Sequence, residues 1–241
     1  MKRSLRVTLF LLSLLLSASA SAAFHQTAEV EITNLTHATY FTPLLVASHD
    51  DGFHLFEPGM PASAPLQAMA EGGDLMGLID QVAGAGGEHV EDPAVGVLAP
   101  GATTTASLPV GFNLRRLSIV AMLLPTNDGF VGADGLVIPR WPGVYTFYLN
   151  GYDAGTEGND ELITGGGAPG VPGIPADPGG NAGTGGLGLA GADHNDVVHV
   201  HPGVVGDLDP DAGPSDLDAA VHRWLNPVAK VRVTVGRFAR R

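Results

Sequence analysis

Leu117 to Glu161 reads LSIVAMLLPTNDGFVGADGLVIPRWPGVYTFYLNGYDAGTEGNDE. An apolar run, Leu117 to Leu124, ends in a polar turn, Pro125-Thr126-Asn127-Asp128-Gly129. Such a run, continuous rather than alternating, suits a central strand covered on both faces. A second strand-like run, Val144 to Leu149, ends in an acidic turn, Tyr152-Asp153-Ala154-Gly155-Thr156-Glu157. Two strands that each deliver carboxylates into a Gly-containing turn can build a calcium site, because calcium takes roughly six to eight oxygens, several of them carboxylate. Asp128, Asp153 and Glu157 gathered without a cation would repel one another. Asp, Asn and Gly also favour turns on their own account, so spacing alone leaves a solvated-turn reading open.

The rest of the chain extends the β pattern. Ala28 to Asn34 alternates apolar and polar residues, and Tyr40 to Ala47 is a second strand interrupted by Pro43. Ser63 can cap a helical excursion reaching Val82, weakened in its middle by Gly72-Gly73 and so read as one interrupted helix or two short ones. The segment from Ala83 to Pro100 is Gly-rich and reads as turn. Thr103 to Val110, Arg115 to Leu124, Val197 to Val200 and Val228 to Val235 read as strands. Residues 165–191 are dominated by Gly, Pro and Ala, a composition read as a long mobile loop unless a metal or a partner orders it. Many short strands with one helical excursion predict a mainly β, antiparallel β-sandwich.

Composition sets the compartment. Lys2, Arg3 and Arg6 precede the apolar run from Val7 to Leu16 and the small residues Ser17 to Ala23. That order is a secretory signal peptide over 1–23, cleaved between Ala20 and Phe24, with one domain over 24–241. No later stretch reaches transmembrane length, so the expected location is secreted or periplasmic. The chain carries 12 Lys and Arg against 25 Asp and Glu, a net charge of −13. Leader removal makes the mature chain more acidic still, about −16. Such a surface excludes nucleic acid as a partner and suits cations. There is no Cys, so neither disulfides nor thiol catalysis are available.

His199 and His201 form an H-x-H pair that a strand would place on one face, with His194 or His222 able to complete a transition-metal site. The pair carries an alternative reading, a metal-dependent hydrolase. A surface histidine pair beside a Pro-Gly turn is the plainer one. Other motifs fail on context. Gly183-x-Gly185-x-x-Gly188 has the dinucleotide spacing but no strand before it and no helix after it. The Asp209-Pro210-Asp211 stretch lacks the closing Glu of an EF-hand loop, since Ala220 stands there.

Several blocks together resemble one family. Asn34-Leu35-Thr36, Phe56-Glu57-Pro58-Gly59-Met60-Pro61-Ala62-Ser63, Ala70-Glu71-Gly72-Gly73-Asp74, Asn127-Asp128-Gly129-Phe130-Val131-Gly132 and Tyr152-Asp153-Ala154-Gly155-Thr156-Glu157 are similar to motifs of the spondin N-terminal domain. The resemblance implies a β-sandwich similar to C2 domains with calcium bound at one edge. In animals it implies matrix and cell-surface binding rather than catalysis. Asp128 matches the Asp of the family's P-(S/N)-D-(W/G)-F-V-G turn, and Asp153 matches the first Asp of its YDAGT(D/E) turn; both are expected ligands. Glu157 falls where the family has an acid. The animal domains also use a Glu just before the strand that matches Arg115-Arg116-Leu117-Ser118. Leu108 to Leu114 holds no acid, so Asn127, Asp134 or a backbone carbonyl would have to stand in. The expected function is a secreted, calcium-binding, non-enzymatic module for adhesion to an extracellular or cell-surface component. A structural cell-envelope protein is a further alternative.

Overall fold

The computed structural model describes residues 26–180, 183–190, 195–209 and 211–236. The leader and its cleavage stretch, and His194, lie outside the described residues. The strands are β1 (Gln26–Asn34), β2 (Tyr40–Phe41), β3 (Leu45–His49), β4 (Glu88–Glu91), β5 (Thr103–Val110), β6 (Arg116–Leu124), β7 (Gly129–Val137), β8 (Gly143–Asp153), β9 (His199–Val200) and β10 (Ala229–Val235). Two helices, α1 (Ala64–Gly72) and α2 (Met76–Gly84), sit between β3 and β4. All named strand pairs are antiparallel, in the order β4-β3-β6-β7-β8-β10-β1-β5, with β2 on β6 and β9 on β8.

The sheet curls until its two ends meet. The Ser48 hydroxyl in β3 donates to the Pro109 carbonyl in β5 at 2.9 Å, and the Thr104 hydroxyl donates to the Pro93 carbonyl at 2.7 Å. One apolar core fills the space between the two halves. Val30, Ile32, Leu108, Val231 and Val233 face Leu117, Ile119, Ala121, Leu123 and Val131 across it. The alternation of β1, β5 and β10 follows, because each has only one covered face. A second core lies on the opposite side of β6. There Val120, Met122, Leu124, Leu45 and Phe130 pack against Leu66, Met69, Leu78 and Val82 of the helices. Strand β6 is therefore buried on both faces, as its nearly continuous apolar run predicts.

The helical excursion is two helices. Ser63 caps α1 by accepting from Leu66 N–H at 3.3 Å, and Gly73, at φ 73°, ends it with its N–H on the Met69 carbonyl at 2.8 Å. A left-handed residue at that position closes a helix, and Gly adopts it without cost.

Three expectations change. β4 lies inside the segment read as turn, and β7 lies inside the stretch between the two acidic turns. Neither shows clean period-two alternation, which is why a pattern search passes over them. The described part of 165–191 has almost no regular secondary structure but is fastened to the body by acids that bind backbone N–H groups. Asp216 Oδ1 accepts from the N–H groups of Thr184, Gly185 and Gly186 at 2.8–2.9 Å, and its Oδ2 accepts from Ile163 N–H at 2.8 Å. The Thr184-Gly185-Gly186 stretch inside the apparent dinucleotide motif thus cradles the chain's own carboxylate. At its other end the segment meets α1, where Gly170 N–H donates to Glu71 Oε2 at 2.7 Å and a Cβ on Gly72 would come within 2.1 Å of the Gly167 carbonyl oxygen.

Asn34 is fully buried. Its amide donates to the Thr39 and Leu98 carbonyls at 2.8 and 3.1 Å, and its Oδ1 accepts from Thr36 N–H at 2.9 Å. The Asn-Leu-Thr triplet is thus a structural knot. Asn34→Ala should cost about 2–4 kcal/mol in urea denaturation, because it leaves buried carbonyls without donors. Asp216→Ala should release the Gly-rich segment alone: amide exchange at Gly185 and Gly186 should quicken while β1 and β10 keep their protection.

Candidate functional site

The β6–β7 turn and the end of β8 lie side by side because Gly129 pairs with Asp153 in the ladder. Asp153 is therefore the last residue of a strand rather than part of the turn. The β6–β7 turn is wound tightly about Thr126, whose hydroxyl donates to the Leu123 carbonyl at 2.6 Å and accepts from Gly129 N–H at 3.0 Å. A Cβ on Gly129 would sit 2.6 Å from that hydroxyl and 3.0 Å from His201 Cδ2, so only glycine fits.

Asp128 is fully buried. Its Oδ2 accepts three bonds from the second turn: Thr156 N–H at 2.8 Å, the Thr156 hydroxyl at 3.1 Å and Glu157 N–H at 3.0 Å. Its Oδ1 is buried and has no partner. Burial, and after it the negative charge of Asp153, push the Asp128 carboxyl up to about 6. Asp153 is buried as well; Gly155 N–H reaches its Oδ1 at 2.8 Å and Asn159 Nδ2 reaches its Oδ2 at 2.6 Å. Glu157 shows the same imbalance as Asp128. Its Oε2 accepts from Gly173 N–H at 3.0 Å, while its Oε1 is buried without a partner. Burial first, with Glu71 and Asp128 as like charges, raises it to about 7.

The structure thus brings Asp128, Asp153 and Glu157 to one end of the sheet. Asn127 joins them, but through its donor: Nδ2 reaches Asp160 Oδ1 at 2.9 Å, and Oδ1 makes a long 3.4 Å contact with Glu161 N–H. Asp134 is not there. It lies five residues along β7 from Gly129, about 17 Å at strand rise. It binds His54 Nδ1 at 2.5 Å, Leu55 N–H at 2.7 Å and the Ser118 hydroxyl at 3.1 Å. It cannot stand in for the missing upstream Glu. Among the described residues no three His, Asp or Glu side chains form a group able to hold a metal by themselves, so a cation here would draw on carbonyl or water oxygens as well. The sequence reading missed Glu71, fully buried on α1 and close enough to raise Glu157. Its place in the Ala-Glu-Gly-Gly-Asp block was the available signal.

The histidine pair stands beside this site. His199 pairs with Asp153 across β8 and β9, its Nδ1 3.7 Å from Asp153 Oδ1. His201 is buried against Trp224, ring centroids 5.0 Å apart, and burial holds it down at about 4, neutral at physiological pH. Its Nδ1 accepts from Gly203 N–H at 2.9 Å. The proton of the neutral ring then sits on Nε2, and neither nitrogen keeps a lone pair for a metal. His222 lies apart, 3.2 Å from Asp177.

Comparisons with known proteins converge on this region. The family model described as Spondin_N matches residues 32–161, more than half of the chain. That span takes in both acidic turns and stops before the Gly-rich segment. Human Spondin-2 is 29% identical over 124 residues, which cover 48% of this chain and 38% of that protein. The chain therefore matches well under half the length of that relative. With the β-sandwich, the two acidic turns and this match together, the chain belongs to the spondin N-terminal domain family.

Proposed function

We propose that this protein is an extracellular, non-enzymatic binding module that holds calcium at the end of β6, β7 and β8 and uses the stiffened edge in adhesion to a cell-surface or matrix component. Family membership supports the coarser part, an extracellular binding module without catalysis. Among the described residues no helix is long and apolar enough to cross a membrane. One observation carries the calcium reading: among the described residues, Asp128 Oδ1 and Glu157 Oε1 are buried carboxylate oxygens with no hydrogen-bond donor. A buried acid in that condition is costly unless it is protonated or faces a cation. The donors on offer are hard oxygens, which suit calcium. Asp128 and Asp153 would be the ligands, with carbonyl and water oxygens completing the shell, Glu157 as an outlying acid and Asn127 holding the acids in place.

A cation that binds only the folded state stabilises it by about 2.7 kcal/mol at a hundredfold excess over its dissociation constant. Scanning calorimetry should show melting that rises with calcium, falls with chelator and responds weakly to magnesium, which prefers smaller octahedral sites. Asp128→Asn and Asp153→Asn should flatten the response, while Asp216→Asn should lower melting yet keep it. Equal melting in calcium and chelator for the wild type would remove the site.

The pH dependence has a definite sign. Folding raises both acids above their unfolded values of 3.8 and 4.5, to about 6 and about 7. The metal-free folded state thus binds more protons than the unfolded chain through that window, and its stability falls as pH rises from about 4 to 7. Calcium must displace those protons. The calcium-induced gain in melting temperature should therefore grow between pH 5 and pH 8, and denaturation in chelator should become easier over the same range.

A further inference from the structure

The far end of the same strands carries a surface of opposite character. The β5–β6 loop, closed by the paired Gly111 and Leu114, holds Phe112 at its tip, and the β7–β8 loop holds Arg140 and Trp141. Phe112 is 87% and Trp141 79% exposed, among the most exposed large apolar side chains of the described residues. A cleft of about 420 Å³ runs between the loops, with Arg115, Arg116 and Arg140 on its walls together with Asp50 and Asp51. Its size falls near the lower end of small-ligand pockets.

Among the described residues the arginines form no ion pair: no carboxylate lies within ion-pair distance of any of the three, whereas Arg232 pairs with Glu31 at 3.1 Å. Arg115 Nε is buried with no hydrogen-bond partner, and its Nη1 reaches only the Pro139 carbonyl at 3.4 Å. Arg116 Nη1 donates to the Gly135 carbonyl at 3.2 Å. Arg140 lies over the Phe112 ring, Cζ 5.9 Å from its centroid. Burial, and then the like charge of Arg140, lowers the Arg115 pKa. A protein with a large excess of acids thus keeps guanidinium groups together, beside the exposed Phe112 ring and next along the chain to the exposed Trp141, and among the described residues pairs none of them with a carboxylate.

We propose that this cleft is a docking surface for an acidic polysaccharide. Guanidinium forks match carboxylate and sulfate groups in bidentate fashion, and flat exposed rings give apolar, low-entropy contact area. The two acids in the wall polarise the cleft and direct the anion to the arginine side; Asp50 Oδ1 is already taken by Gly52 N–H at 2.9 Å. A lipid surface fits less well. Asp50 and Asp51 would face its headgroups, and Phe112 would have to enter the bilayer with the Arg140 charge on its face. The calcium edge lies roughly 25–30 Å away at the other end of β6, beyond the screening length of about 8 Å, so its acids do not oppose binding here. The inference names a partner for the binding module proposed above, yet it uses residues that the calcium reading does not.

The test is binding of the mature protein to immobilised heparin and hyaluronate, with dextran as the neutral control, at low and physiological salt. Retention on the acidic chains, weakened by salt and absent on dextran, is expected. Arg115→Gln with Arg140→Gln should weaken it at least about tenfold, and Trp141→Ala should weaken it without changing the salt dependence. Each variant should keep the wild-type calcium response in melting, which separates failure of this cleft from failure of the calcium site. Equal retention on dextran, or unchanged binding by the double arginine variant, would overturn the proposal. So would binding to vesicles of phosphatidylglycerol and phosphatidylcholine but to neither polysaccharide.

Discussion

Strand β6 loses water from both faces at once. One face joins the core between the sheet halves, and the other is covered by α1 and α2. The turn that follows such a strand is drawn inside with it, and so Asp128 is fully buried although it is a turn acid. The glycine after it, the hydroxyl of Thr126 and the pairing of Gly129 with Asp153 are the local means by which the chain turns without room to spare. Burial of one strand thus fixes the surroundings of the acid one turn away.

Two buried or half-buried aspartates show what decides the fate of such a group. Asp216 collects N–H groups on both oxygens. Burial pulls its pKa upward, but the bonds from Gly186, Ile163, Thr184 and Gly185 outweigh it and leave the carboxyl below its ordinary value. Asp128 collects donors on one oxygen only and faces Asp153, and its pKa rises. The first is a completed internal ion site, closed by the backbone. The second is half completed, with its satisfied oxygen holding the two acidic turns together and the other lacking a donor. The contrast is one of donor count, not of residue type.

Much of this was readable from residues alone. The run of seven apolar residues and one serine after Arg116 announced a doubly covered strand, and the alternation of Ala28–Asn34 and of Val228–Val235 announced singly covered ones. The acids Asp128, Asp153 and Glu157 were visible as turn residues, and the structure brings them together at one end of the sheet. What the sequence did not reveal depends on long-range partners. Residues 165–191 look unable to order themselves, and in their described part it is Asp216, Glu71 and Glu157 that fasten them from elsewhere in the chain. Asp134 looked available to the acidic turns because sequence distance does not show which end of a strand a residue occupies. The apolar-arginine cleft combines loops whose neighbourhood exists only once β5, β6, β7 and β8 are paired.

Strand β10 follows the region that matches the family by nearly seventy residues in sequence order, yet it lies between β8 and β1, bonded to both. A fragment cut at Glu161 would keep all the recognisable motifs and lose the strand that joins the two halves of the sheet. It would leave two long inner edges, those of β1 and β8, with unpaired N–H and carbonyl groups along apolar surfaces, a geometry that invites pairing with another chain. The smallest unit that can be expressed, crystallised or grafted is therefore set by hydrogen-bond closure of the sheet, and it reaches at least to Val235.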